Sequence, residues 1–395
     1  MSPTRACKLS HRSTPLRIQN QPNATIEALH ISVSDPGVAA LSCADSPNVR
    51  IKNVRIEHAH GSIGIRFERC PYIRLEDVSV VAAKSKHKPG RCKLRNKDCD
   101  NIHGSGSPGA TLRRVRVMGG STGVELHLCP RASVSYLIAL NVVGPYPRGQ
   151  CIQFSSSHDA KLDHFYCHNE ASMSWTEDSV SVWRSGGVTV SNGLVDGNNS
   201  PTGVGVMFEN DAPAAIGGSI ENVDAINMGN GCFSGYPARD LLMKRTRCGW
   251  NHCGGQGGRP PPTSHGQMWA AGHAQVNDSY ISAQMATSHS PHRNVVSRGI
   301  VVTQGRYWSA CNESKPAWWA RTPQAFKSVQ IKKLEFKPRQ PLALQFCWER
   351  DGAGRHPVSD TGGVAASAGN RVVAIGNRGT QRTGGGAWGR LTRGG

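Results

Sequence analysis

Apolar and polar residues alternate along much of the first half of this chain. Ile26-Glu-Ala-Leu-His-Ile-Ser-Val33, Val49-Arg-Ile-Lys-Asn-Val-Arg-Ile56, Ile73-Arg-Leu-Glu-Asp-Val-Ser-Val80 and Val188-Thr-Val-Ser-Asn-Gly-Leu-Val195 share one signature. Each reads as two short strands around a polar two-residue corner, such as Lys52-Asn53, Glu76-Asp77 or Ser191-Asn192. Alternation with period two puts one face of every strand inside. A loop and a shorter alternating run follow each unit: Val38 to Cys43, Ile65 to Cys70, Ile102 to Ser107 and Val124 to Cys129. Thr111 to Val117 leads into the last of these, and Ile152 to Phe154, Val180 to Val182 and Val204 to Val206 continue the series.

One frame underlies the closing runs. Gly123-Val-Glu-Leu-His-Leu-Cys129 recurs as Gly37-Val-Ala-Ala-Leu-Ser-Cys43 and Gly64-Ile-Arg-Phe-Glu-Arg-Cys70, and Ser107 takes the Cys place after Asn101. The repeat falls within the ~20–45 residues of stacked supersecondary units. Strands that recur in one direction, with no helices between them, stack in parallel. The pattern therefore predicts an all-β chain: a single-stranded right-handed parallel β-helix, with the hand of parallel crossovers. An antiparallel sandwich would need hairpin turns after most strands; Asn192-Gly193 is one candidate, and the pattern is not general.

The periodicity also divides the chain. Residues 1–22 read as a disordered basic N-terminus, 23–305 as the β-helix, and 306–349 as terminal strands or a capping segment. In that segment Ser328 to Phe336 and Leu342 to Phe346 read as strands, and 350–395 as a disordered Gly/Arg-rich tail. Aromatic residues make up 6%, which suits short, tightly turned elements. The formal charge is +19, which favours an anionic partner. Part of it is one block, Lys84, Lys86, Lys88, Arg91, Lys93, Arg95 and Lys97, which reads as a solvated loop that could wall a site. Of 13 cysteines, Cys43, Cys70 and Cys129 share the frame position, as a buried stack of free thiols would. Free thiols lean towards a reducing, intracellular compartment. No secretory segment follows Met1, and no apolar run reaches the ~20 residues of a membrane span. Arg5, Lys8, Arg12 and Arg17, with no acid before Glu27, would also suit a transit peptide.

Candidate chemistry lies on the outward positions of the closing strands. Val124, Leu126 and Leu128 face in on this reading, so Glu125 and His127 face out. One outward column runs Arg66, His103, Glu125, Gln153, Ser181, Gly205, and the other Glu68, Ser105, His127, Ser155, Trp183, Met207. Neighbours in a column stand about 4.8 Å apart. Arg66, Glu68, His103, Glu125 and His127 then share one patch, with Asp100 beside them: a base, an acid and a cation. A solvated polar ladder is the plain alternative. Asp178 and Arg184 flank the strand three coils on, ~14 Å from Asp100, where Trp183 could stack on a sugar ring or pack under a loop. Glu209 and Asp211 extend that acidic end. Cys248, His252, Cys253, His265 and His273 form a set too loosely spaced for a regular zinc site. No phosphate loop appears, and no aromatic-and-basic nucleic-acid module.

The coils from Ala24 to Asn210 resemble the pectate-lyase-like right-handed β-helix proteins, among them polysaccharide lyases, polygalacturonase-type hydrolases, epimerases and phage tailspikes. The polygalacturonase-like members carry Asn-Thr-Asp, Asp-Asp and Gly-His-Gly on successive coils. Thr176-Glu177-Asp178 and Gly229-Asn230-Gly231 are similar to the first and third, and Cys99-Asp100-Asn101-Ile102 is similar to the first as well. Asn198-Asn199 stands near the place of the acidic pair and Asn230 replaces the His, which speaks against a hydrolase of that kind.

The resemblance implies an enzyme acting on a polysaccharide, an acidic one first, by β-elimination or epimerisation. Arg66 would neutralise a uronate and His103 or His127 would take its proton. Glu125 or Asp100 would orient the imidazole, or with Glu68 bind Ca²⁺. Gln153, Asp178, Trp183 and Arg184 would bind the chain on either side. Hydrolysis by two carboxylates from Asp100, Glu125 and Glu68, and a non-catalytic module that binds a glycan or protein, are the alternatives.

Overall fold

The structure is a computed structural model. It describes residues 7–59, 61–83, 99–144, 149–170, 173–174, 176–198, 204–210, 216–228, 231–249 and 339–349, and the strands 268–277, 280–282, 295–298, 300–303 and 329–332. The basic block at 84–97 and the tail from 350 lie outside these residues. So do Asp211 and the side chains of the loose Cys/His set.

Two families of strands alternate along the chain. The first strands are β1 (Ser10–Arg12), β2 (Leu16–Gln19), β3 (Thr25–Val33), β4 (Leu41–Ala44), β5 (Arg50–His58), β6 (Ile65–Glu68), β7 (Arg74–Ala82) and β8 (Ile102–Ser105). There follow β9 (Thr111–Met118), β10 (Val124–His127), β11 (Ser133–Leu140), β12 (Ile152–Ser155), β13 (Lys161–His168), β14 (Val180–Trp183), β15 (Val188–Asn198), β16 (Val204–Glu209), β17 (Ile216–Met228) and β18 (Gly231–Lys244). The short even-numbered strands β2 to β16 pair in one parallel ladder. The long odd-numbered strands β1 to β17 pair in another. The chain is a right-handed parallel β-helix. Among the described residues no helix is long and apolar enough to cross a membrane.

The core is built from rows of like positions. Ile65, Ile102, Val124, Ile152, Val180 and Val206 stack in register on the short ladder and are fully buried. On the long ladder the inward residues follow an offset rhythm: Ile51, Val54 and Ile56 in β5 are all buried. Strict alternation would point Val54 outward. Asn53 between them has φ 52°, and this left-handed residue resets the phase. Asp77, Arg114, Tyr136, His164, Asn192 and Asn222 repeat the positive φ at the same level of later coils. The polar corner read from the sequence is thus a one-residue bend within a single strand.

Four sequence readings change. The frame at Gly37 is slipped by three residues. Cys43 lies opposite Phe67, because Leu41 is the residue that covers Ile65. The shared position is instead Ser46, Cys70, Ser107, Cys129, Ser157 and Ser185, each following a left-handed residue. Cys43 and Cys70 are disulfide-bonded, as are Cys151 with Cys167 and Cys7 with Cys347. Cys129 is the free, buried thiol among the described residues. The free-thiol argument for a reducing compartment therefore falls away, since disulfides persist in oxidising ones. Within 1–22, residues 10–12 and 16–19 are strands, because β3 and β4 offer them open edges.

The fourth change is at the far end. Leu342 to Phe346 is not a strand but part of an irregular strap that crosses the long ladder's outer face. Arg339 N–H donates to Asp224 Oδ2 at 2.7 Å, and Leu342 and Leu344 pack on Ile138, Tyr166, Leu194 and Ile226. Arg114 Nη2 donates to Gln345 O at 3.0 Å, Arg116 lies 4.8 Å over the Phe346 ring and pairs with Glu349, and Cys347 reaches Cys7. The segment runs across the strands, so no ladder is available to it and side chains hold it.

Candidate functional site

The short ladder fixes the outward columns. Register confirms Arg66–His103–Glu125–Gln153–Ser181, and Glu68–Ser105–His127–Ser155–Trp183. The next coil is offset by two residues from the sequence reading. Ser181 meets Met207, not Gly205, and Trp183 meets Glu209, because Val206 and Phe208 fill the interior over Val180 and Val182.

Three candidates converge. His103 Nδ1 stands 3.1 Å from Asp100 Oδ2 and 3.4 Å from Glu125 Oε2. Asp100 is fully buried, and Ser121 Oγ donates to its second oxygen, Oδ1, at 3.1 Å. Ser121 Oγ in turn accepts from Cys99 N–H at 2.8 Å, so the acceptor is held from behind. Burial by itself would lower the His103 pKa. Hydrogen bonds and charge from Asp100 and Glu125 outweigh it and push the value up to about 10. In this arrangement the two carboxylates favour the charged ring over the free base.

The other members of that patch are engaged separately. Arg66 Nε donates to Glu68 Oε1 at 2.8 Å, an exposed pair beside the triad rather than part of it. His127 Nδ1 lies 3.1 Å from Ser155 Oγ. Gln153 is half-buried on the strand between Glu125 and Ser181.

A second group sits three strand spacings along, ~14 Å away. Asp178 occupies the coil position of Asp100, two residues before its short strand, and is likewise buried. Its Oδ1 accepts from Val204 N–H at 2.7 Å. Burial, together with the charges of Glu209 and Glu177, pushes its carboxyl well above the usual range despite that hydrogen bond. Glu177, half-buried beside it, is pushed up to about 7 by burial and by Glu209. Arg184 lies 4.5 Å over the Trp183 ring, so a cation already takes one face of that indole. Sequence reasoning passed over Glu177 and Ser121. The adjacent acids Glu177-Asp178 were a visible signal; Ser121, in a Gly-rich loop, gave none.

No protein-family profile matches the chain, and no curated protein matches it. Among solved structures it is similar to the Dettilon tailspike protein, with 12% identity, a TM-score of 0.48, and coverage of 75% of this chain and 57% of that one. It is also similar to the catalytic domain of a GH87 α-1,3-glucanase in complex with tetrasaccharides, at 10% identity, TM-score 0.43, and 74% and 57% coverage. The same domain with nigerose gives 10%, 0.41, and 75% and 62%. The chain spans less than two thirds of each. The fold rests on the strand pairing, not on these likenesses.

Proposed function

We propose that this chain cleaves an extended polysaccharide by hydrolysis, in the groove over the short ladder near Glu177 and Glu209. The observation that carries this reading is Glu177. Burial and the Glu209 charge hold its proton up to about pH 7, so it can protonate a leaving glycosidic oxygen near neutrality. Glu209, across the ladder from Trp183, would activate the attacking water. Asp178 is a positioning residue: it ties the loop carrying Glu177 to the start of β16 through Val204 N–H. The +19 charge favours an acidic chain along the remaining coils.

Elimination needs a neutral imidazole or another free base. His103 Nδ1 already faces two carboxylates, at 3.1 and 3.4 Å, whereas His127 Nδ1 faces the Ser155 hydroxyl at 3.1 Å, so His127 is the candidate base for that chemistry.

The test is turnover on a panel of acidic and neutral polysaccharides, with the products analysed. Hydrolysis yields new reducing ends and no ultraviolet-absorbing unsaturated sugar. Glu177→Gln should lower kcat by at least ~10²-fold, the scale of a lost general acid. The Glu177 pKa is raised, so the acid form is present at low pH and lost as pH rises. Wild-type kcat/KM should therefore fall above about pH 7. An unsaturated product, abolished in His127→Ala and retained in Glu177→Gln, would replace this reading with elimination.

A further inference from the structure

The triad of Asp100, His103 and Glu125 takes no part in the proposed cleavage. We infer that these side chains bind one first-row divalent cation, Zn²⁺ above all, through Asp100 Oδ2, His103 Nδ1 and Glu125 Oε2.

The geometry is that of a three-ligand set. The three donor atoms all lie within 4.8 Å of one another. Two of the separations, 3.1 and 3.4 Å, match donors shared by one ion. Ligands at ~2.0–2.2 Å in a tetrahedron stand roughly 3.3–3.6 Å apart. Both carboxylates aim at the same ring nitrogen. One N–H directed at two oxygens is a divided hydrogen bond, whereas a cation that displaces the Nδ1 proton into solvent engages all three donors fully.

The frame is rigid and prepared. His103 and Glu125 are register partners on neighbouring strands, and Asp100 enters the same strand two residues before it starts. Ser121 Oγ holds the other Asp100 oxygen, the kind of outer contact that fixes a ligating carboxylate. The donor set chooses the metal. Ca²⁺ and Mg²⁺ take six or more oxygens, and an imidazole with two carboxylates suits Zn²⁺ better. His103 and Glu125 are partly exposed, so a fourth position opens to the groove for water or a sugar oxygen. The site does not depend on the cleavage reading.

Isothermal titration of chelator-treated full-length protein with ZnCl₂ tests it. One equivalent should bind at micromolar affinity or tighter, with equimolar Ca²⁺ unable to compete. Glu125→Gln and His103→Gln should each weaken that equivalent at least tenfold, and Ser121→Ala should weaken it ~10-fold, as lost outer contacts do. Absence of the tight equivalent, equal affinity in the wild type and Glu125→Gln, or Ca²⁺ competing on equal terms would overturn the proposal. If both ligand variants lose their β-sheet circular dichroism, Co²⁺ bound to the wild type decides. Strong visible absorption marks four-coordinate nitrogen and oxygen ligation; a weak six-coordinate spectrum overturns it.

Discussion

At the turn that ends each short strand, a small hydroxyl or thiol side chain does the work of a backbone partner. Ser157 Oγ accepts from Cys129 N–H at 2.9 Å and lies 2.9 Å from Leu126 O and 3.0 Å from Ser155 O. Its own N–H donates to Ser185 Oγ at 2.7 Å, and Cys70 N–H donates to Ser107 Oγ at 2.9 Å two repeats before the Cys129–Ser157 bond. The positions are buried, so no water replaces a lost partner. Ser157→Ala should cost about 1–3 kcal/mol, the penalty of a stranded buried N–H. Urea midpoints measure it. Loss below ~0.5 kcal/mol would show that the ladder is incidental.

Within the stacked strands, glycines make room for aromatic rings. A Cβ at Gly104 would meet Phe67 ring atoms at 2.2 and 2.3 Å and Leu126 Cδ2 at 3.0 Å. Gly193 stands in the same relation to Phe165, at 2.0 Å. Each large ring fills the level left by its neighbour's missing side chain, so the interior keeps its density although adjacent coils differ in size. Gly104→Ala should destabilise by about 1–3 kcal/mol through overpacking. Phe67→Leu in the same chain should recover part of that loss, because the two sites share one space. Additive losses in the double variant would refute the pairing.

Across the molecule, the strap and the Cys7–Cys347 bond join the two ends of the described chain at a sequence separation of 340. The outward column Arg116, Ile138, Tyr166, Leu194 and Asp224 is in register on successive long strands. The strap answers it with Glu349 and Phe346, then Leu344 and Leu342, then Arg339. Closing so long a loop restricts the unfolded chain. Cys7→Ser or Cys347→Ser should each lower stability by about 2–4 kcal/mol, with equal losses for the two. Thermal melts without reductant compare them. Since the strap covers the long ladder and not the short one, turnover in the groove should persist below the melting point. A larger loss in Cys347→Ser would mean that the contact of its Sγ with Asn53 Oδ1, at 3.5 Å, carries part of the effect.

The sequence alone determined the parallel coil, because period-two alternation with recurring closing strands leaves one economical way to bury every apolar face. It also placed His103 opposite Glu125, with Asp100 beside them, since outward positions follow from parity. What parity cannot supply is which coil a residue meets when spacing varies. The slip at Cys43, the two-residue offset at Met207 and the disulfide pairings were therefore decided only in three dimensions. Charge state was likewise hidden: the Asp100 and Glu125 carboxylates raise the His103 pKa against the effect of burial, while burial and the Glu209 charge raise that of Glu177, and local sequence reports neither. The strap left one trace, the apolar residues Ile138, Tyr166 and Leu194 at outward positions. Their cover comes from a segment more than a hundred residues later, and side chains rather than a repeating ladder hold it, so no periodicity announced it.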